Sequence, residues 1–220
     1  APNLGVAEAA LGIAASNRAR PDLAIPHLER AVELSPDLII ARQMLGLSYA
    51  YLGRHREASA CYEMVCLLQP GHPNARFSLA MRHLYDRDYA TGWREYEWRW
   101  LTAQLTRPEI PRPRWDGRDL TGLSVLVHTE QGIGDAVQLA RLLPLMKSQK
   151  NAAKIVFACQ KAIHKLLENS VDVDEWFPID QPATITFDTF TPMLALPALL
   201  GINEHNLPKP AQYVKPDPAR

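Results

Sequence analysis

The sequence holds only three cysteines, no lysine before position 147, and no excess of either charge. Each shortage excludes something. Cys61, Cys66 and Cys159 are too few and too scattered for a disulfide framework, and the first two do not have Cys-x-x-Cys spacing. Free thiols in a reducing cytoplasm are the expected state. Lys plus Arg and Asp plus Glu are both 24 among 220 residues, so the basic excess of a general nucleic-acid binder is absent and no nucleic-acid partner is expected. No apolar run approaches the roughly 18 residues of a membrane span. The opening APNLGVAEAALGIAA lacks a basic leader and does not read as a signal peptide. Hydrophobic residues at 47% and charged residues at 22% fit a folded chain and exclude disorder as the main state.

What is present first is an internal repeat. Pro36 and Pro70 stand 34 residues apart, and the same shift carries Leu11-Gly12 onto Leu45-Gly46, Ala15 onto Tyr49, Ala24 onto Ala58, Leu28 onto Tyr62 and Ala31 onto Val65. This order of small and large positions is the tetratricopeptide pattern, two antiparallel helices per unit. Gly12 and Gly46 fall where the two helices of a unit meet closely, and Pro36 and Pro70 cannot continue a helix. A third, degenerate unit follows, with Leu79-Ala80 in the Leu-Gly place, Gly92 in the Ala place, Tyr96 in the aromatic place and Arg99 where a small residue is expected. Repeat position then assigns Asn17, Gln43, Tyr51, Phe77 and Met81 to the concave face, where such stacks bind peptide or protein segments. Packing between helices is an equal reading for Phe77 and Met81.

Residues 101–120 hold three prolines and Gly117 and read as a Pro-rich linker. All seven lysines lie beyond it, while fifteen of seventeen arginines lie at 118 or earlier. The expected division is helical repeats over 1–100, linker over 101–120 and a second domain over 121–220. That domain alternates apolar runs with helical stretches: strands at 123–128, 154–159, 175–178 and around 187–191, and helices over 135–147, 160–168 and 194–200. Such alternation predicts a parallel α/β sheet, and sites on such sheets form at the carboxyl ends of strands.

The loop after the first strand is therefore the leading candidate: His128, Glu130, Gln131, Gly132, Gly134 and Asp135. Gly132 and Gly134 would let a ligand approach the backbone. The dinucleotide fingerprint is not met, because its third glycine falls at Val137. From spacing alone Asp135 fits both a helix N-cap and a proton acceptor. His128 and Glu130 without a third ligand do not make a metal site, and no metal is expected.

Asp88-Tyr-Ala-Thr-Gly-Trp-Arg-Glu-Tyr-Glu-Trp-Arg-Trp100, Pro111-Arg-Pro-Arg-Trp-Asp-Gly117, His128-Thr-Glu-Gln-Gly-Ile-Gly-Asp135, Phe187-Asp188 and Leu196-Pro197 together resemble bacterial proteins that fuse tetratricopeptide repeats to a GT-B glycosyltransferase similar to the family 9 heptosyltransferases. The resemblance implies a repeat α-solenoid followed by a Rossmann-like α/β domain, the acceptor-side half of GT-B. It also implies inverting transfer from a nucleotide-sugar to a protein acceptor, with Asp135 of Gly134-Asp135 as base and no other cofactor. The family's donor-binding domain would begin where the sequence reaches Arg220, so a fragment or truncated member, inactive by itself, is expected. A non-catalytic adaptor built on the repeats is the alternative.

Overall fold

The computed structural model describes residues 2–103, 105–130, 132–180, 185–208 and 214. The chain divides into two compact units, Ala1–Arg107 and Pro108–Arg220. The first unit is three helical pairs: α1 (Pro2–Asn17) with α2 (Pro21–Leu34), α3 (Ile39–Tyr51) with α4 (His55–Leu68), and α5 (Pro73–Tyr85) with α6 (Tyr89–Glu95). Each later pair stacks on the one before, α3 on α2 and α5 on α4.

The repeat residues do what their size dictates. A Cβ on Gly12 would stand 2.5 Å from a Leu28 side-chain carbon, and one on Gly46 would stand 2.8 Å from the Tyr62 ring, so neither helix pair closes with a larger residue there. Ala24, Leu28, Ala31, Ala58, Tyr62 and Val65 are buried. The second helix of each of the first two units stops two residues before its proline. Ser35 and Gln69, which precede Pro36 and Pro70, leave the helical region, because the proline ring crowds a helical residue in front of it.

The third unit departs from the pattern in its second helix. After seven residues α6 tightens into a 3-10 turn over Tyr96–Leu101. Gly92 is forced, since a Cβ would meet the Leu84 side chain at 2.6 Å. Arg99, where the earlier units place Ala31 and Val65, is fully buried. Its guanidinium lies over the Tyr96 and Trp100 rings and donates to the Tyr96 carbonyl and the Glu97 carboxylate.

The second unit is a four-stranded parallel sheet in the order β3-β2-β1-β4, formed by β1 (Ser124–His128), β2 (Lys154–Cys159), β3 (Glu175–Pro178) and β4 (Thr189–Pro192). Residues 125–128 of β1 and 155–159 of β2 are buried, as befits central parallel strands covered on both faces. The helices are α7 (Ile133–Ala140), α8 (Leu143–Lys150), α9 (Lys161–Leu167) and the short α10 (Leu196–Leu199), the last preceded by a 3-10 turn at Met193–Ala195. Trp115 belongs to this unit: it is buried, its amide donates to the Phe190 carbonyl, and its indole donates to the Arg118 carbonyl.

One expected helix is two. The 135–147 stretch begins earlier, at Ile133, and breaks at Arg141 and Leu142. Pro144 occupies the second position of α8, where a missing amide hydrogen leaves no intrahelical bond unmade. Asp135 is therefore not the N-cap of α7. That place is taken by Gly132, and Asp135 stands in the first turn.

Candidate functional site

The strand order creates a switch point. The chain leaves β1 for β2 and β3 on one side, and returns with β4 on the other. Between the carboxyl ends of β1 and β4 the connections diverge, which is where open α/β sheets leave a crevice. A narrow cleft of about 10 Å³ lies there, lined by Thr129, Glu130, Gly132, Asp135, Ala136, Leu139, Met193 and Leu194. Its rim is tied together by side chains. The Glu130 carboxylate accepts the Leu194 amide at 3.0 Å, joining the β1 loop to the turn after β4. The buried Thr129 hydroxyl donates to the Gln160 side-chain carbonyl at 3.0 Å, joining the same loop to the one after β2.

The structure brings Glu130, Gly132 and Asp135 into this cleft. Gln131 lies outside the described residues. His128 is placed below the cleft rather than in it: it is the buried last residue of β1, paired in register with Ala158 and Pro192. Its ring sits 6.1 Å from that of Phe190, with Nδ1 3.2 Å from the Thr129 carbonyl. Asp135 is exposed to solvent, and its carboxylate reaches back over the cap, 3.9 Å from where a Gly132 Cβ would stand. A carboxylate in a first helical turn is held favourably by the exposed amides there. Gly134 is glycine for no reason inside the chain: its φ is not left-handed, and a Cβ would meet nothing within 4 Å.

Met193, Leu194 and Leu139 line the cleft and were not legible as site residues. The only sequence signal of Met193 and Leu194 was the short apolar run after β4, and that of Leu139 the apolar pattern of α7. Asp188, one of the residues carrying the family resemblance, lies at the opposite, amino end of β1 and β4. It accepts the Ser124 amide and hydroxyl, both at 2.7 Å, and these bonds hold its carboxyl below the ordinary range. Cys159 at the end of β2 is buried, which pushes its thiol up to about 12, so it is no nucleophile at neutral pH. Among the described residues no group of three or more His, Cys, Asp or Glu is placed to hold a metal ion, and no helix is long and apolar enough to cross a membrane.

On the repeats, Tyr51 is 74% and Met81 47% exposed, Asn17 is exposed and Gln43 half-buried. Phe77 is half-buried and turned inward, packing edge-on to Tyr96 at 5.3 Å. The 34-residue shift relates these to further exposed apolar residues: Val6 to Ile40, Leu47 to Met81, and Tyr51 to Tyr85, which is 72% exposed. The row is apolar and amide-bearing, without an ionisable acid or base among these positions.

The tetratricopeptide-repeat family pattern matches residues 40–72. Protein FlbA of Caulobacter vibrioides is 32% identical over 126 residues, which are 54% of this chain and 21% of that protein, so the match spans about a fifth of the relative. Among solved structures, YrrB, described as a TPR protein with an unusual peptide-binding site, is 27% identical with a TM-score of 0.41, covering 44% of this chain and 50% of its own. A mutant O-GlcNAc transferase of Thermobaculum terrenum is 12% identical with a TM-score of 0.41, covering 84% of this chain and 42% of its own. The repeat signature and the three stacked pairs show a tetratricopeptide-like helical region, continued by a unit with a parallel four-stranded sheet.

Proposed function

We propose that the chain is the acceptor-handling part of a glycosyltransferase that modifies a protein, with the repeats recruiting the acceptor and the Rossmann-like unit presenting the base. The observation that supports this best is the place of Asp135: an exposed carboxylate in the first turn of α7, opening on the cleft at the β1–β4 switch point. There it would accept the proton of a Ser or Thr hydroxyl. The hydroxyl oxygen attacks the anomeric carbon, the bond from that carbon to the nucleoside diphosphate breaks, and the configuration inverts. Gly134 would admit the acceptor against the backbone of the helix start. The cleft, at about 10 Å³, is far smaller than the roughly 300–1,000 Å³ of small-molecule pockets. The proposal therefore assigns the nucleotide-sugar to a second α/β domain of the GT-B kind.

The test is transfer of labelled sugar from a panel of nucleotide-sugars to host protein by the natural gene product. Asp135→Asn is expected to lower kcat about 10²–10⁴-fold, the range for loss of a general base. Wild-type transfer by that variant would remove Asp135 from the role. The exposed row from Val6 to Tyr85 favours a second reading, a non-catalytic adaptor. A gene product that binds protein through this row and turns over no nucleotide-sugar would establish it.

A further inference from the structure

The three first helices of the repeats are equivalent, so their burial can be compared position by position. In α3, Ala41, Leu45 and Ser48 are at most 5% exposed, and in α5 the corresponding Ala75 is fully buried and Leu79 half-buried. These helices pack on the pair before them: α3 touches both α1 and α2, with the Ser16 and Ser48 hydroxyls 2.9 Å apart, and α5 touches α4. In α1 the same stripe is Leu4, Ala7, Leu11 and Ala14. All four are exposed, Leu4 at 49% and Leu11 at 54%. The faces of α1 that meet α2 and α3 are covered as in the other units; Gly12 and Ala9 are buried. The difference lies on one side only, the side that α3 gives to a preceding pair.

Terminal repeats of such stacks carry a polar outer face. The outer face of α1 is apolar along its length, so α1 is built as an internal helix. We propose that this face docks a further helical pair of the same 34-residue pattern, supplied by the gene product on the N-terminal side of α1. That pair would carry α2-like apolar positions onto Leu4, Ala7, Leu11 and Ala14. The partner is specified by the existing α1–α2 to α3 interface, whose α3 surface α1 repeats at Leu4, Ala7 and Leu11, with Ala14 in place of Ser48.

The experiment compares the 220-residue chain with the natural gene product, each carrying Leu11→Cys. Both are treated with N-ethylmaleimide and the modified peptides are mapped, with Cys66 as internal reference. Expected is rapid labelling at position 11 in the 220-residue chain and labelling slowed by more than about tenfold in the gene product, as buried sites react only through local opening. In parallel, Leu11→Ala is expected to leave the Tm of the 220-residue chain unchanged and to lower that of the gene product by about 5 °C or more. Equal labelling and equal Tm changes in the two proteins would overturn the proposal. So would protection in the 220-residue chain that is lost on dilution, which would assign the face to a second copy.

Discussion

At the scale of single residues, the same substitution has opposite consequences at two glycines. Gly12 sits under Leu28, with the Ala24 carbonyl also 3.1 Å from any added Cβ. Backbone on one side and a buried side chain on the other leave little room to yield. Gly12→Ala is expected to destabilise the repeat unit by about 1–3 kcal/mol, the usual penalty of overpacking. Gly134 lies in the first turn of α7 with open space around it. Alanine there removes the helix penalty of glycine and is expected to stabilise the second unit by up to about 1 kcal/mol. Urea melts of the two variants check both signs. If a ligand approaches the backbone at Gly134, the stabilised variant is also the functionally weaker one. A variant that gains both stability and sugar transfer would show that this glycine faces no substrate.

At the scale of elements, the start of β2 is clamped to the entry of β3 by Asp174. Burial alone would raise its carboxyl, but the Ile155 amide at 2.7 Å and the Lys147 ammonium at 2.9 Å outweigh it and hold the group below the ordinary carboxylate range. A carboxyl depressed in the folded state contributes stability above its unfolded pKa of about 3.9 and loses it as pH falls through the lower folded value. The second unit should therefore lose Tm progressively below about pH 4, and Asp174→Asn should lower Tm at pH 7 and flatten that acid limb. An acid limb unchanged in Asp174→Asn would assign it to other carboxylates. Most elements here were legible because apolar runs of strand length alternate with helical stretches. The α7–α8 break was not, because Pro144 suits both a kinked helix and the first turn of a new one. The loop of the site was legible because glycines and an aspartate follow a strand directly. Met193 and Leu194 were not, because they reach the cleft only through the strand order, and nothing local in a sequence states that β4 lies beside β1.

At the scale of the whole molecule, the two units invite different kinetic signatures. Tyr51 presents most of its ring to solvent on the row that includes Gln43 and Met81. Rigid aromatic surface of this kind contributes binding energy when a partner desolvates it. In the proposed enzyme that energy captures the protein acceptor equally in ground and transition states. Removing it raises KM and leaves kcat unchanged. The pair Gln43→Ala with Tyr51→Ala, made in the gene product, should thus raise KM for the protein acceptor about tenfold and leave the kcat at saturation intact. Asp135→Asn should do the reverse, lowering kcat with KM little changed, because a general base acts on the proton in flight rather than on the docked acceptor. Steady-state rates over a range of acceptor concentration separate the two. If Gln43→Ala with Tyr51→Ala lowers kcat and spares KM, the repeats position the reacting segment instead of recruiting the protein. If neither parameter moves, this row does not meet the acceptor at all, and its exposed tyrosines serve another partner.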